Sequence, residues 1–465
     1  MAINLSGKKV SVIGAGISGI AAAELLQAQG AAVLLSEFGR IGADDILRLQ
    51  EQQISIEQDG HSEKVYDADF CVISPGITQN APVVKTLESK GIPIFSEIEI
   101  ASYFCKARIV GVTGTDGKTT TSTLIHRLCE ANGLQNDYRS FSVGNIGVPF
   151  SSKVLDMNPR DIAVVELSSY QLERCCSFRP DVAVITNITP DHLARYEGDM
   201  QRYAAAKFRI YANQGVADTL IYNEDDPLLR EHFSGKFFPF NLVPFGMDSV
   251  QGGGIDRRIV LLDGERIVVR IPNGEDEVMV ISDFLKQSFR GRHNISNVLA
   301  AIAAARALGI SNEIVRSVLS EFNGVEHRQE YVTTLNGACW VNDSKATNIN
   351  AMRQALEAVP GSCVLIAGGR DKGNDYNSLA GLVRKKVSLL IAIGESQGKI
   401  VSSFEAIVVV KKATSLEDAV LLAYEAAGQG ETVLFSPGCA SFDMFANFEE
   451  RGIKFKQCVH QLQPC

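Results

Sequence analysis

Positions 113–120 read Thr-Gly-Thr-Asp-Gly-Lys-Thr-Thr, a glycine-bearing stretch closed by a lysine and hydroxyls. That combination suits a phosphate: glycines let the backbone curl round an anion, Lys118 adds a mobile charge, and Thr119 is placed to meet Mg²⁺. The common pattern G-x-x-x-x-G-K-[ST] would need its first glycine at 112, where the chain has Val112 between Gly111 and Gly114. Context decides in favour of a phosphate site. RIVGVT (108–113) reads as a buried β-branched strand, and TSTLIHRLCEANG (121–133) as a helix with Gly133 at its C-cap. The loop therefore joins a strand to a helix N-terminus, where unpaired N–H groups and the helix dipole face outward.

A second set of residues could serve the same phosphate. Glu166 ends the apolar run IAVVE, the position expected of a carboxylate that helps hold Mg²⁺. Asp191 and His192 follow Pro190, and Lys207 stands in the helical run QRYAAAKFRI; taken alone, these read as a packing histidine and an exposed helix lysine. Asn145 in SVGNIG, Asn294 and Asn297 in GRHNISN, Arg328 in EHRQE, and Asp343, Lys345 and Thr347 are further polar groups in expected loops. Near the start, Gly14, Gly16 and Gly19 fit G-x-G-x-x-G, with Glu37 at the offset of a ribose contact. Alone this fingerprint says NAD or FAD. What it reports physically is a pyrophosphate at a helix N-terminus, and UDP-sugars carry one too.

The elements that must position these groups fall into three α/β blocks. Strands 8–13, 31–38 and 69–77, the last ending in the rigid Ser74-Pro75-Gly76 turn, form the first. GIPIFSEIEIAS (91–102) reads as an extended connector to the second block, where apolar strands at 161–169, 181–189 and 218–223 alternate with helices. From 257 two hairpin signals, Asp263-Gly264 and Asn273-Gly274, announce a small antiparallel sheet. The third block repeats the parallel rhythm at 338–344, 362–369, 388–394 and 432–437. The chain's 465 residues and net charge of −9 agree with about three domains and argue against nucleic-acid or membrane-surface binding. No apolar run reaches the ~20 residues that span a bilayer, and no N-terminal signal is present, so a cytoplasmic protein is expected. The ten cysteines lack C-x-x-C spacing and read as buried free thiols, Cys175-Cys176 being adjacent.

GTDGKTTT, ELSSYQLE, TPDHLARY with the later AAAK, GRHNISN, EHRQE, NDSKATN and SPGCASFDMFANFEERG occur in the order typical of the Mur ligases, which the whole chain resembles. ELSSYQLE, NDSKATN and the C-terminal SPGCASFD and NFEERG segments are most similar to the branch that adds D-glutamate. The resemblance implies a Rossmann-like N-terminal domain (1–98) for the UDP-substrate and a P-loop ATPase-like central domain (99–324) with the small antiparallel sheet. A Rossmann-like C-terminal domain (325–465) would take the amino acid. It also implies an ATP-dependent ligase of cytoplasmic peptidoglycan precursor synthesis, and so of cell-wall growth, cell shape and division, that joins D-glutamate to UDP-N-acetylmuramoyl-L-alanine through an acyl phosphate, without nucleic-acid or membrane partners and as a monomer. In the family, the loop is the shorter G-T-x-G-K-[ST] form, so Gly114 does the bending.

Carried over by position, the resemblance gives Gly114, Thr115, Asp116, Gly117, Lys118, Thr119 and Thr120 to the ATP phosphates. Asn294 and Asn297 go to the adenine, and Arg328, Asp343 and the catalytic Lys345 to the nucleotide from the third domain. Two Mg²⁺ ions fall to Thr119, Glu166, His192 and Lys207, the last as a carbamate formed with CO₂. Gly16, Ile17, Ser18, Ser36, Glu37, Gly76 and Asn145 match UDP-substrate positions; Thr347, Lys372, Ser441 and the backbone near Phe448 match D-glutamate positions. Asp116 departs from the family's usual Asn and adds a negative charge beside the phosphates. A sister ligase adding L-alanine is the nearest alternative. An NAD-linked oxidoreductase or a non-enzymatic nucleotide switch would leave most of these groups without a role.

Overall fold

The computed structural model describes residues 4–191, 193–247, 259–271, 274–280, 292–322, 324–371 and 373–462. Their strands form three sheets. The first joins β1 (Lys9–Ile13), β2 (Ala32–Ser36), β3 (Ser55–Glu57), β4 (Phe70–Ile73) and β5 (Ile94–Ser96) in the order β3-β2-β1-β4-β5, all parallel. The second contains β6 (Arg108–Thr113), β7 (Ser140–Gly144), β8 (Ile162–Glu166), β9 (Val182–Ile185), β10 (Thr219–Asn223), β11 (Asn241–Gly246), β12 (Ile259–Asp263), β13 (Arg266–Ile271) and β14 (Gly274–Val280). Its order is β14-β13-β12-β11-β10-β9-β6-β8-β7. The antiparallel strands foreseen from the Asp-Gly and Asn-Gly signals form here, and through the parallel β11/β12 pairing they extend the central sheet at its edge. Asn273 lies outside the described residues.

The third sheet holds β15 (Glu330–Leu335), β16 (Ala338–Asn342), β17 (Cys363–Gly368), β18 (Val387–Ile393), β19 (Val409–Lys412) and β20 (Thr432–Phe435), in the order β15-β16-β20-β17-β18-β19. Only the β15/β16 hairpin in it is antiparallel. The architecture is α/β throughout, as the alternation of apolar strands and helices requires. The strands flanked by helices on both faces are buried along their length, β8 and β17 at every residue. By compactness the chain divides into two units, one holding the first two sheets and the helices through Glu321, the other beginning at Phe322.

Two local expectations are corrected. The segment 91–102 is not an extended connector: β5 is followed at once by a helix, Glu97–Phe104, because the Ser96 hydroxyl accepts the Glu99 N–H and two acids occupy the first turn. Its Ile-Glu-Ile alternation imitates a strand. This helix packs into one continuous core, in which Ile98 and Ala101 join Val12 and Leu35 of the first sheet, Phe150 of the turn Phe150–Ser152, and Val165 of the second sheet. Nor does Gly133 cap its helix. That helix runs Lys118–Asn136 and ends on Asp137 in the left-handed region, while Gly133 lies inside it, where a Cβ would come within 2.3 Å of the Tyr138 carbonyl oxygen.

Glu97 is itself buried between the sheets. One carboxylate oxygen accepts the Ser151 N–H at 2.5 Å, while the other has no partner among the described residues. Burial pushes its pKa up to about 7 against the pull of the Ser151 and Phe150 donors. A carboxyl whose folded-state pKa lies above its unfolded value gives its full stability at pH below the unfolded value and loses it as pH rises through about 7. Glu97→Gln, which cannot ionise, is therefore expected to gain on the wild type by about 1.4 kcal/mol between about pH 6 and pH 8.5. Paired thermal melts at the two pH values check this; a gap that does not widen with pH refutes it.

The described cysteines are all unpaired thiols, most of them buried; Cys176 is exposed and its neighbour Cys175 is buried against Ser96.

Candidate active site

Strands β6, β8 and β9 run side by side, and their register sets Val112 opposite both Glu166 and Val184, one residue before the loop begins. Three strand ends therefore deliver the Gly114 loop, the Glu166 carboxylate and the Thr186-Asn187 turn to one edge of the sheet. Gly114 (φ +150°) and Gly117 (φ +80°) hold conformations that favour glycine. A Cβ on the first would sit 1.9 Å from Thr186 Oγ1, and one on the second 2.2 Å from Asn297 Oδ1. Thr186 thus crowds the loop at Gly114 and Asn297 crowds it at Gly117.

The loop is pinned by neighbours that the motif does not include. Asn187 Oδ1 accepts the Asp116 N–H at 2.9 Å, and Thr186 Oγ1 donates to the Asp116 carbonyl at 2.6 Å. Thr115 exchanges hydrogen bonds with the Thr189 backbone and, at 3.0 Å, with the Tyr203 hydroxyl. These contacts leave the first-turn N–H groups of the following helix directed at the loop mouth, as in an anion cradle.

Two lysines converge on one carbonyl. Lys118 Nζ donates to the Gly114 and Thr115 carbonyl oxygens at 2.9 and 2.6 Å, and Lys207 Nζ donates to the same Gly114 oxygen at 2.6 Å. Lys207 is 2 % exposed, and its Nζ stands 4.7 Å over the Tyr203 ring. Burial first, and then the charge of Lys118, hold its pKa well below the usual lysine value; Asp191 and Asp116 oppose this weakly. Lys207 is therefore neither the exposed helix lysine that its alanine-rich surroundings suggest nor an ordinary cation. It is a buried amine whose charged form is disfavoured.

Glu166 is buried at the end of β8; Asn145 Nδ2 donates to its Oε1 at 3.0 Å, and the Asn145 N–H bonds its carbonyl at 2.8 Å. Among the described residues no group of three His, Cys, Asp or Glu is arranged to hold a metal. The buried Glu166 carboxylate and the Thr119 hydroxyl are instead oxygen donors of the kind that suit a Mg²⁺ ion taking its other ligands from phosphates and water. Asn297 is buried against this loop, accepting from Thr121 Oγ1 at 3.4 Å, and Asn294 lies one turn earlier on the helix Arg292–Ala307. His192 lies outside the described residues; Asp191 precedes it.

In the first sheet the glycine loop is linked to the Ser74 turn by Ser74 Oγ, which donates to the Gly14 carbonyl at 3.0 Å. Glu37 accepts the Ala15 and Gly39 N–H groups at 2.6 and 2.9 Å. Ser36 is fully buried, with its hydroxyl 2.6 Å from both Glu57 and His61. Ile17 and Phe38 are exposed, Ser18 is half-buried, and Gly16 and Gly76 have open space where a side chain would be.

The second unit assembles its own set. Asp343 is buried at the end of β16, where Ser436 Oγ and the Gln329 N–H donate to it at 2.8 and 3.2 Å. Burial pushes its pKa up to about 7, opposed by those donors and by the charges of Arg328 and Lys345. Lys345 Nζ lies 5.9 Å over the Phe448 ring, Ser441 is buried, and Thr347 is half-buried. Lys372 lies outside the described residues. The residue that ties these loops together escaped sequence reading: Arg451, 1 % exposed, donates to the Ser344 hydroxyl, the Ser344 carbonyl and the Cys439 carbonyl at 3.0, 2.7 and 3.1 Å. Its signal was available, since Arg451, Phe455 and Val459 share one helix face and the other two are core residues.

A phosphate loop backed by a strand-end carboxylate and a buried lysine is the equipment of an enzyme that transfers a phosphoryl group from a nucleotide. Family models agree on which kind: the Mur ligase middle domain matches residues 112–305, the Mur ligase glutamate ligase domain 327–439, and the MurD N-terminal domain 9–83. The chain belongs to the Mur ligase family, whose members are ATP-dependent C–N bond-forming enzymes. It is 68 % identical over 99 % of both chains to the UDP-N-acetylmuramoylalanine--D-glutamate ligase of Pelodictyon phaeoclathratiforme. It is 62 % identical, over the full length of both, to the enzyme of that name from Chlorobium limicola. Among solved structures, the UDP-N-acetylmuramate-alanine ligase MurC of Thermotoga maritima shares the fold, with a TM-score of 0.55 at 19 % identity over 97 % of this chain and 99 % of that one. No helix among the described residues is long and apolar enough to cross a membrane.

Proposed function

We propose that this chain joins D-glutamate to the carboxyl of UDP-N-acetylmuramoyl-L-alanine at the expense of ATP, as a monomer, in the cytoplasmic stage of peptidoglycan synthesis. The names of its relatives support the substrates, and the buried, depressed amine of Lys207 beside the phosphate loop supports the chemistry. A carboxylate acylates poorly. Taking the γ-phosphoryl of ATP gives it a leaving group, the D-glutamate amine then attacks the acyl carbon, and phosphate departs.

In this reading Gly114–Thr120 cradle the phosphates, with Lys118 moving from the loop carbonyls to the γ-phosphoryl oxygens, and Asn294 and Asn297 face the adenine. Thr119 and Glu166 would hold one Mg²⁺, and His192 and carbamylated Lys207 a second; bound there, the ions neutralise the charge that develops on the transferred group. The carbamate forms when the neutral Lys207 Nζ attacks CO₂, making an N–C bond and releasing one proton, and only a depressed pKa keeps that nucleophile available at neutral pH. Asn145, fixed on Glu166, orients the substrate carboxyl. Gly16, Ile17, Ser18, Ser36, Glu37 and Gly76 border the UDP moiety, with the Ser36 contact made through its backbone because its hydroxyl is committed to Glu57 and His61. In the second unit Arg328, Asp343 and Lys345 serve the nucleotide, and Thr347, Lys372, Ser441 and the Phe448 backbone take the two carboxylates of D-glutamate.

Acceptor choice tests the reading. A site built to bind a second carboxylate leaves buried donors unmet when that group is missing, so D-glutamate is expected to exceed L-alanine by at least about 10³-fold in kcat/KM. Phosphate release measured with each amino acid and UDP-N-acetylmuramoyl-L-alanine decides it. Comparable use of L-alanine, or preference for the acceptor lacking L-alanine, would favour the sister activity.

A further inference from the structure

A narrow cleft opens within the first unit, between the Ser74-Pro75 turn after β4 and Tyr170, Arg174 and Arg195 in the segments that follow β8 and β9. Beside it, among the described residues, Arg195 Nε is buried without a hydrogen-bond partner, and the Tyr196 hydroxyl faces the Glu173 carboxylate. Both lie at one ion pair. Arg195 Nη2 donates to Glu173 Oε2 at 2.9 Å, the two side chains are only 13 and 9 % exposed, and the guanidinium lies 4.0 Å from the centre of the Tyr170 ring. The same Oε2 also accepts from Gln79 Nε2 at 3.0 Å, and Gln79 lies three residues beyond the Ser74–Gly76 turn. A guanidinium that meets a carboxylate through one N–H, with its Nε buried and unmet among the described residues, has a better arrangement close at hand. A small rotation would form the two parallel N–H···O bonds of a fork and satisfy the buried Nε.

We propose that Arg195 is a positioning residue for the phosphoryl-transfer centre, and that Gln79, by sharing the Glu173 carboxylate, couples that centre to occupancy of the first sheet's glycine loop. Arg195 belongs to the turn Leu193–Tyr196, directly after Asp191 and position 192; Glu173 ends the helix Ser169–Glu173, which starts three residues after Glu166. The ion pair therefore ties together the two segments from which the proposed metal ligands come. On the other side, the Ser74 turn is bonded to Gly14. Filling the first fold draws Gln79 away with that turn, releases Oε2 to the guanidinium fork, and brings the Asp191 segment to its working position against Glu166. The identity of the ligands rests on the proposed ligase reading; the coupling rests on the shared carboxylate.

The test uses Mn²⁺ as the probe, titrated by electron paramagnetic resonance against the full chain with a non-hydrolysable ATP analogue, with and without UDP-N-acetylmuramoyl-L-alanine, alongside steady-state kinetics. In the wild type the UDP-substrate is expected to tighten Mn²⁺ binding about fivefold or more. Arg195→Lys and Glu173→Gln should lose that tightening and lower kcat by about 10- to 100-fold, while the KM for ATP moves little. Gln79→Ala should bind Mn²⁺ tightly even without the UDP-substrate. Glu173→Gln keeps the side-chain shape and carries the test if Arg195→Lys does not fold. Undiminished tightening in the Glu173 variant, dependence on the UDP-substrate in Gln79→Ala equal to that of the wild type, or no tightening in the wild type each overturns the coupling. A wild type that tightens on Mn²⁺ but forms no amide with D-glutamate refutes the ligase reading and leaves the coupling standing.

Discussion

Lys207→Ala is expected to retain its fold and lose activity by at least about 10³-fold, the loss typical of removing a group that organises a phosphoryl-transfer centre. The argument starts from burial. Nζ is enclosed by the Tyr203 ring and the Gly114 carbonyl with Lys118 beside it, an environment that disfavours a second ammonium and lowers its pKa. A neutral amine can take up CO₂, and the anion so formed would face Lys118 and the metal instead of opposing them. Removing the side chain to Cβ leaves room for a small carboxylate, so millimolar acetate or propionate should restore part of the activity of Lys207→Ala. Lys207→Arg should not be rescued, because a guanidinium fills the space and cannot be carbamylated. Protein equilibrated with ¹³C-bicarbonate should show a carbamate resonance that both variants lack. Full activity of Lys207→Ala without added carboxylate would sink the carbamate.

That environment shows where sequence reading stops. The strand, glycine loop and helix start around Lys118 were legible because everything that defines them lies within a dozen residues. Glu166 was legible for a similar reason, at the end of an apolar run that could only be a buried strand. Lys207 looks from sequence like any helix lysine between alanines. Its chemistry is created by a carbonyl 93 positions away and by the register of β6 against β9, so only the family resemblance pointed to it. The helix Glu97–Phe104 was missed because alternating Ile and Glu imitate a strand, and the Ser96 cap that decides the matter was passed over. The hairpins at the sheet edge were read correctly from turn chemistry, but their attachment to the central sheet depends on the short β11/β12 pairing, which leaves no local mark.

Arg451 is the reverse case, a residue with a local signal and a nonlocal consequence. A charged side chain on the core face of a helix must find partners or forfeit stability. Here it finds three: the hydroxyl and carbonyl of Ser344 in the loop after β16, and the carbonyl of Cys439 in the loop after β20. Burial lowers its pKa only to about 10, so the cation persists at neutral pH, with Asp343 and Asp443 near enough to favour it. The same two loops carry Asp343, Lys345 and Thr347 on one side and Ser441 on the other. Arg451→Met fills most of the volume but leaves these acceptors buried and unmet, at a cost of about 3–5 kcal/mol. The expected result is a lower melting temperature together with a KM for D-glutamate raised about tenfold or more, while binding of the UDP-substrate to the first unit stays near its wild-type affinity. Arg451→Lys, which can reach one of the two loops but not span both, should fall between. Calorimetry and acceptor kinetics on the three proteins check this. An Arg451→Met protein that melts with the wild type and keeps its KM for D-glutamate would show that the loops hold their geometry without the guanidinium.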